Sequence, residues 1–71
     1  MSEGEDYGLR AGDRVMATET AYENGVFLWK DAPIYGTVVR LATVSDTVLI
    51  RREGQKGVYR FHVSFWTPAN P

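Results

Sequence analysis

Between Gly36 and Trp66 apolar and polar residues alternate in three short bursts, Thr37–Leu41, Thr47–Arg52 and Val58–His62, separated by Ser/Asp and Gly-containing stretches. β-Branched and aromatic residues dominate each burst, and a period of two is the pattern of a half-buried strand. The spacing predicts a three-strand antiparallel meander, about the smallest sheet that persists in water when one face is buried. Pairing Leu41 with Val48, Val39 with Ile50, Ile50 with Tyr59 and Val48 with Phe61 puts Val39, Leu41, Val48, Ile50, Tyr59 and Phe61 on one apolar face. Val38, Arg40, Leu49, Arg51, Val58, Arg60 and His62 fall on the other. This register leaves Glu53–Lys56 as a four-residue turn. A slip by one residue would exchange the faces and bury arginines, which is far more costly than exposing two aromatic rings.

The flanking segments complete the pattern. Gly12-Asp13 turns the chain into a first strand around Arg14–Thr18, with Val15 and Ala17 inward and Arg14 and Met16 outward. In Thr18–Pro33, Asn24-Gly25 lies between two β-prone runs, the strongest short signal for a type I′ hairpin. That hairpin would pair Tyr22 with Phe27 and Glu19 with Lys30, with Tyr22, Phe27 and Trp29 sharing a face. Pro33 ends the excursion because it cannot donate to a ladder. His62–Phe65 is too short for a full helix and reads as a 3₁₀ turn before a closing strand around Trp66–Ala69. No amphipathic helix is predicted. The expectation is an all-β, five-stranded barrel with a long hairpin-like first loop and a 3₁₀ turn before the last strand. Its predicted core is Val15, Val39, Leu41, Val48, Ile50, Tyr59, Phe61 and Trp66.

Composition narrows the class. Seventy-one residues make one domain, read here as a disordered acidic tail (1–7), a barrel (8–69) and a short C-terminal end (70–71). An apolar fraction of 44% and an aromatic fraction of 13% exclude wholesale disorder. The chain has no cysteine, so neither a disulfide nor a thiolate metal site can staple it, and a reducing cytoplasm suits it. Glu3, Glu5 and Asp6 are the opposite of a signal peptide's basic start, and the apolar runs are far too short for a membrane span. A soluble, cytoplasmic protein with no membrane partner is expected. Residues 1–35 carry a formal charge of −4 and residues 36–71 carry +3, although the whole chain is nearly neutral at −1. A pI near 5.7 argues against a protein that mainly coats nucleic acid.

Candidate chemistry is sparse. His62 is the only histidine, without the second and third ligands that zinc needs, and reads as a strand-end residue bonding locally. There is no Gly-rich phosphate loop, no paired-carboxylate arrangement and no cofactor fingerprint, so neither enzymatic activity nor a cofactor is predicted. Two surfaces stand out. Tyr22, Phe27 and Trp29 form either an exposed aromatic platform or one end of a very small core. Arg40 and Arg60 should flank Leu49, with Arg51, Arg52 and Lys56 nearby, forming either an anion clamp or a solvated face whose stems cover Leu49 and Val38. The favoured function is a non-catalytic module docking on another protein through the aromatic hairpin and a sheet edge. The alternative is a nucleic-acid-binding barrel using Arg40, Arg51, Arg52, Lys56 and Arg60. A homo-oligomer stays open.

The order of parts, with a strand after Gly12-Asp13-Arg14-Val15, a long excursion, a meander, a 3₁₀ turn and a closing strand, resembles the small Src-homology-3-like (SH3-like) barrel. Gly12-Asp13-Arg14-Val15 and the Val58…His62-Val63-Ser64 segment look like type II dihydrofolate reductases. The outline is also similar to the small barrel subunits of photosystem I and of ferredoxin–thioredoxin reductase, which are docking pieces, and to KOW-type nucleic-acid modules. The reductases bind folate and nicotinamide with a Val-Gln-Ile-Tyr segment. Here the matching residues are Val58-Tyr59-Arg60-Phe61, so the ligand-contacting glutamine is absent and a folate-type oxidoreductase ranks third. The acidic-aromatic signature of domains that bind proline-rich peptides is missing from Ala17–Tyr22.

Overall fold

The computed structural model describes residues 8–41 and 46–69. The expected acidic tail, residues 42–45 of the first meander connection and the last two residues lie outside the described residues. Five antiparallel strands, β1 (Arg14–Ala17), β2 (Tyr35–Leu41), β3 (Thr47–Arg52), β4 (Tyr59–His62) and β5 (Trp66–Pro68), form one sheet in the order β4-β3-β2-β1-β5. The first and last members of that order are not hydrogen-bonded to each other, so the sheet is open. Flat strands four places apart would be separated by about 19 Å. Yet Phe61 on β4 and Trp66 on β5 have ring centroids 5.3 Å apart, so the sheet is strongly coiled and its two ends meet. The all-β class, the strand positions and the 3₁₀ turn Val63–Phe65 ahead of the last strand are as the sequence predicts.

The meander register holds at Leu41↔Val48, Val48↔Phe61 and Ile50↔Tyr59, and fails at one place. Ile50 pairs with Val38, not Val39, and the next rung is Arg40↔Leu49, so Val39 is the extra residue of a β-bulge. Val38 is accordingly buried (1% exposed) and Val39 faces out (36%), the reverse of the expectation. Adjacent valines carry no alternation signal, so the bulge was invisible in the pattern. Tyr59 is inward by register but 54% exposed, because β4 ends the sheet and no further strand covers it. Leu41 and Phe61 are half-buried against the core. The second connection is also longer than a four-residue turn: residues 53–58 separate β3 from β4, with Gln55 N–H donating to the Arg52 carbonyl at 3.0 Å.

The excursion between β1 and β2 is not a strand hairpin. Glu19–Glu23 form a short helix, α1, and Trp29–Asp31 a single 3₁₀ turn. Asn24-Gly25 ends α1: Gly25 adopts φ +76°, its N–H donates to the Tyr22 carbonyl, and Val26 N–H donates to the Ala21 carbonyl. This is a complete Schellman motif, reinforced by Asn24 Nδ2 donating to the Thr20 carbonyl at 2.7 Å. Gly tolerates positive φ in either setting, so the dipeptide marked the reversal and not its type. At the other end, Thr18 N–H and Oγ1 donate to the Phe65 and Ser64 carbonyls at 2.9 and 2.7 Å, fastening α1 to the 3₁₀ turn before β5.

These segments supply much of the core. Leu9, Ala21, Tyr22, Phe27, Ile34 and Val63, none of them in a strand, are buried with Val15, Ala17, Val38, Val48, Ile50 and Trp66. Gly36 lets β2 lie close over β3, since a Cβ there would fall 2.7 Å from Ile50 Cγ2. The bulge yields a paired prediction for the two neighbouring valines. Val38→Asp places a carboxylate in the core and should leave the chain unfolded at 25 °C. Val39→Asp should stay within about 1 kcal/mol of the parent. Urea unfolding followed by circular dichroism distinguishes them; equal losses would contradict the bulge.

Candidate functional site

The aromatic residues singled out in the sequence do come together, through a helix and a loop instead of a hairpin. Tyr22 is buried on α1 because its ring is stacked by Trp29 at 4.5 Å (21° between planes) and met by Phe27 at 6.1 Å. Its hydroxyl accepts from the buried Ile34 N–H at 3.1 Å, which fixes the ring and satisfies a donor next to β2. Phe27 is also core, with Phe61 and Trp66 at 5.7 and 5.6 Å. Trp29, by contrast, is 57% exposed, and the adjoining Leu28 is 58% exposed. Only one of the three expected contact residues therefore offers its ring to solvent. The others form the rigid floor beneath it.

The arginines separate into distinct groups. Arg40↔Leu49↔Arg60 form one cross-strand row on the outer face, as the spacing predicted, and Arg51 lies one row away beside Thr37. All three arginines are exposed, and none has an ion pair among the described residues. Arg52 points to the inner side, pairs with buried Gly36, and holds its guanidinium 5.1 Å from the Phe27 ring centroid. Its stem helps roof the core, and its Nε is buried without a hydrogen-bond partner. Lys56 is exposed in the 53–58 connection.

Arg14, across Thr37 from Arg51 on the outer face, differs again. Its Nε donates to Glu53 Oε2 at 2.8 Å and its Nη2 donates to Oε1 at 3.3 Å, a fork-like pair. The guanidinium also lies 4.0 Å over the Tyr35 ring. The hydrogen bond from Arg14 holds the Glu53 carboxyl below the ordinary carboxylate range, and the same bond raises Arg14. An open depression beside this pair is lined by Asp31, Pro33, Ile34, Tyr35, Arg52 and Glu53. Sequence reasoning missed Arg14 and Glu53 as partners because they stand 39 positions apart.

His62 bonds locally, as expected: its Nδ1 accepts from the Ser64 N–H at 3.1 Å and lies 2.9 Å from Ser64 Oγ. Among the described residues no three potential ligands gather into a metal site, and no helix is long and apolar enough to cross a membrane. Comparison with protein-family models, curated proteins and solved structures gives no match to this chain.

Two predictions test the geometry. Tyr22→Phe keeps the stacked ring but strips the buried Ile34 N–H of its acceptor, so stability should fall by about 1–3 kcal/mol with the fold retained, read by urea unfolding. For Glu53, whose carboxyl titrates low when folded, the pair contributes fully above the ordinary carboxylate range and is lost as pH falls through the lowered value. Carboxyl-detected NMR titration should find Glu53 below the ordinary range in the parent and back within it in Arg14→Ala.

Proposed function

We propose that this chain is a small, non-catalytic docking module of the SH3-like barrel type, which binds another protein in the cytoplasm. The strand order β4-β3-β2-β1-β5, the long excursion after β1 and the 3₁₀ turn before β5 support the barrel type. The observation that carries the docking reading is Trp29. Its ring is more than half exposed, yet one face is stacked on a buried tyrosine whose hydroxyl is itself bonded, so little freedom is lost when a partner covers it. Rigid aromatic rings of this kind are enriched among the residues that dominate protein interfaces. Leu28 widens the apolar patch beside it. The free edge of β4 adjoins the same aromatic cluster, reached from Trp29 through Tyr22, Phe27 and Phe61.

The test begins at Leu28. A photoreactive phenylalanine analogue there should form a discrete covalent adduct with one protein on irradiation in the native host, and the same group at Lys56 should not. Trp29→Ala should then weaken binding to that purified partner more than tenfold, since a central aromatic anchor is worth about 2 kcal/mol or more. Its stability should fall by only about 0.5–1.5 kcal/mol, the worth of one stacked pair. Arg51→Ala should leave the affinity unchanged. If Trp29→Ala unfolds the domain, or binds its partner as the parent does, the reading is wrong.

A further inference from the structure

The charge asymmetry of the sequence becomes a spatial one on folding. Glu19, Glu23 and Asp31 are all exposed on the excursion that carries Trp29, whereas β2, β3 and β4 contain four arginines, one histidine and no acidic residue. On the outer face Arg40 and Arg60 stand two strands apart, roughly 10 Å, with half-buried Leu49 between them and Arg51 on the neighbouring row. Like charges on one sheet face repel, more weakly two strands apart than directly opposite, and an acidic neighbour would relieve them. On this same face Glu53 relieves Arg14, which stands across Thr37 in the row of Arg51. Arg40, Arg51 and Arg60 themselves have no ion pair among the described residues. The bulge at Val39 adds to the arrangement by turning both Val39 and Arg40 outward.

We propose that Arg40, Arg51 and Arg60 form a second binding surface, separate from Trp29, which takes the phosphate backbone of a nucleic acid duplex without reading its sequence. Each guanidinium presents a planar fork that matches a phosphate's oxygens, and neighbouring strands can bring several to one backbone. A duplex is the occupant because the rings beside the arginines among the described residues are already engaged: the His62 imidazole is bonded to Ser64 and meets Phe65. The ring that β2 contributes to this face, Tyr35, is already covered by the Arg14 guanidinium, and single-strand binders rely on free rings. Contacts confined to phosphates fix position and carry no base information. This surface is tested separately from the protein-docking reading, because its arginine side chains are distinct from Trp29 and Leu28, although Arg60 lies on the strand whose edge that reading uses.

Fluorescence anisotropy with a labelled mixed-sequence DNA duplex tests it on the full chain. Three phosphate contacts should give a slope of log affinity against log salt of about −2.7, a loss of about forty-fold between 50 and 200 mM salt. In Arg40→Ala/Arg60→Ala the slope should shrink to about −0.9. Arg40→Lys/Arg60→Lys should keep the parent slope, and Trp29→Ala should keep both slope and affinity. Circular dichroism identifies any variant that has failed to fold, and Arg40→Gln/Arg60→Gln then decides, because it keeps part of each stem without the charge and its slope should shrink as in the alanine pair. No measurable binding at 50 mM salt, or binding indifferent to the arginine pair, overturns the proposal. So does polyglutamate displacing the duplex at equal charge, which would make phosphate geometry irrelevant. Arginine-dependent self-association in light scattering, with no duplex binding, also overturns it and identifies the occupant as the acidic excursion of a second copy.

Discussion

The fold depends on how the two ends of an open sheet are held together without hydrogen bonds between them. Phe27 does this. Its ring meets Phe61 from one end of the sheet and Trp66 from the other, and those two rings meet each other edge-on. Coiling is needed for the three to converge, and the β-bulge in β2 supplies part of it by sharpening the local twist. Phe27 in turn is located by the Schellman motif that ends α1, and α1 is tied to the chain just before Trp66 through Thr18. Bulge, helix cap and aromatic triad are therefore one construction, and loss of any member loosens the others.

How much of this is legible in the sequence follows from which signals are local. Strand identity and inward residues such as Val15, Val48 and Ile50 came from alternation, a property of adjacent positions, and they were right. So was the row Arg40–Leu49–Arg60, because it depends only on a register anchored nearby at Leu41↔Val48. Val38 and Val39 were exchanged because two neighbouring valines look alike to any pattern. Asn24-Gly25 was assigned to the wrong reversal because a five-residue helix is shorter than the span over which helical periodicity shows. Leu9 and Ile34 were missed as core because they lie outside any strand, and their burial depends on tertiary packing. At the candidate site the aromatic cluster was foreseen, but its division into a buried floor and one exposed ring was not, since that depends on the path of the backbone beneath.

Two surfaces of opposite character result from this division. The excursion combines acidic side chains with an exposed indole, and the strands behind it carry unneutralised guanidinium groups. In so small a domain such segregation keeps the two from quenching each other within one molecule. Arg14 and Glu53 show what happens where opposite charges do lie within reach: they pair, and that part of the face is silenced.

The bulge at Val39 also bears on what lengths of chain this architecture accepts. Elsewhere in the meander, removing or adding one residue would invert every side chain beyond it. At Val39 removal would instead restore a regular ladder, with Val38 still opposite Ile50 and Arg40 still opposite Leu49. The sheet thus contains one position where a single-codon deletion is neutral to the facing of the strands. Relatives of this domain can differ in length there without exchanging inside for outside.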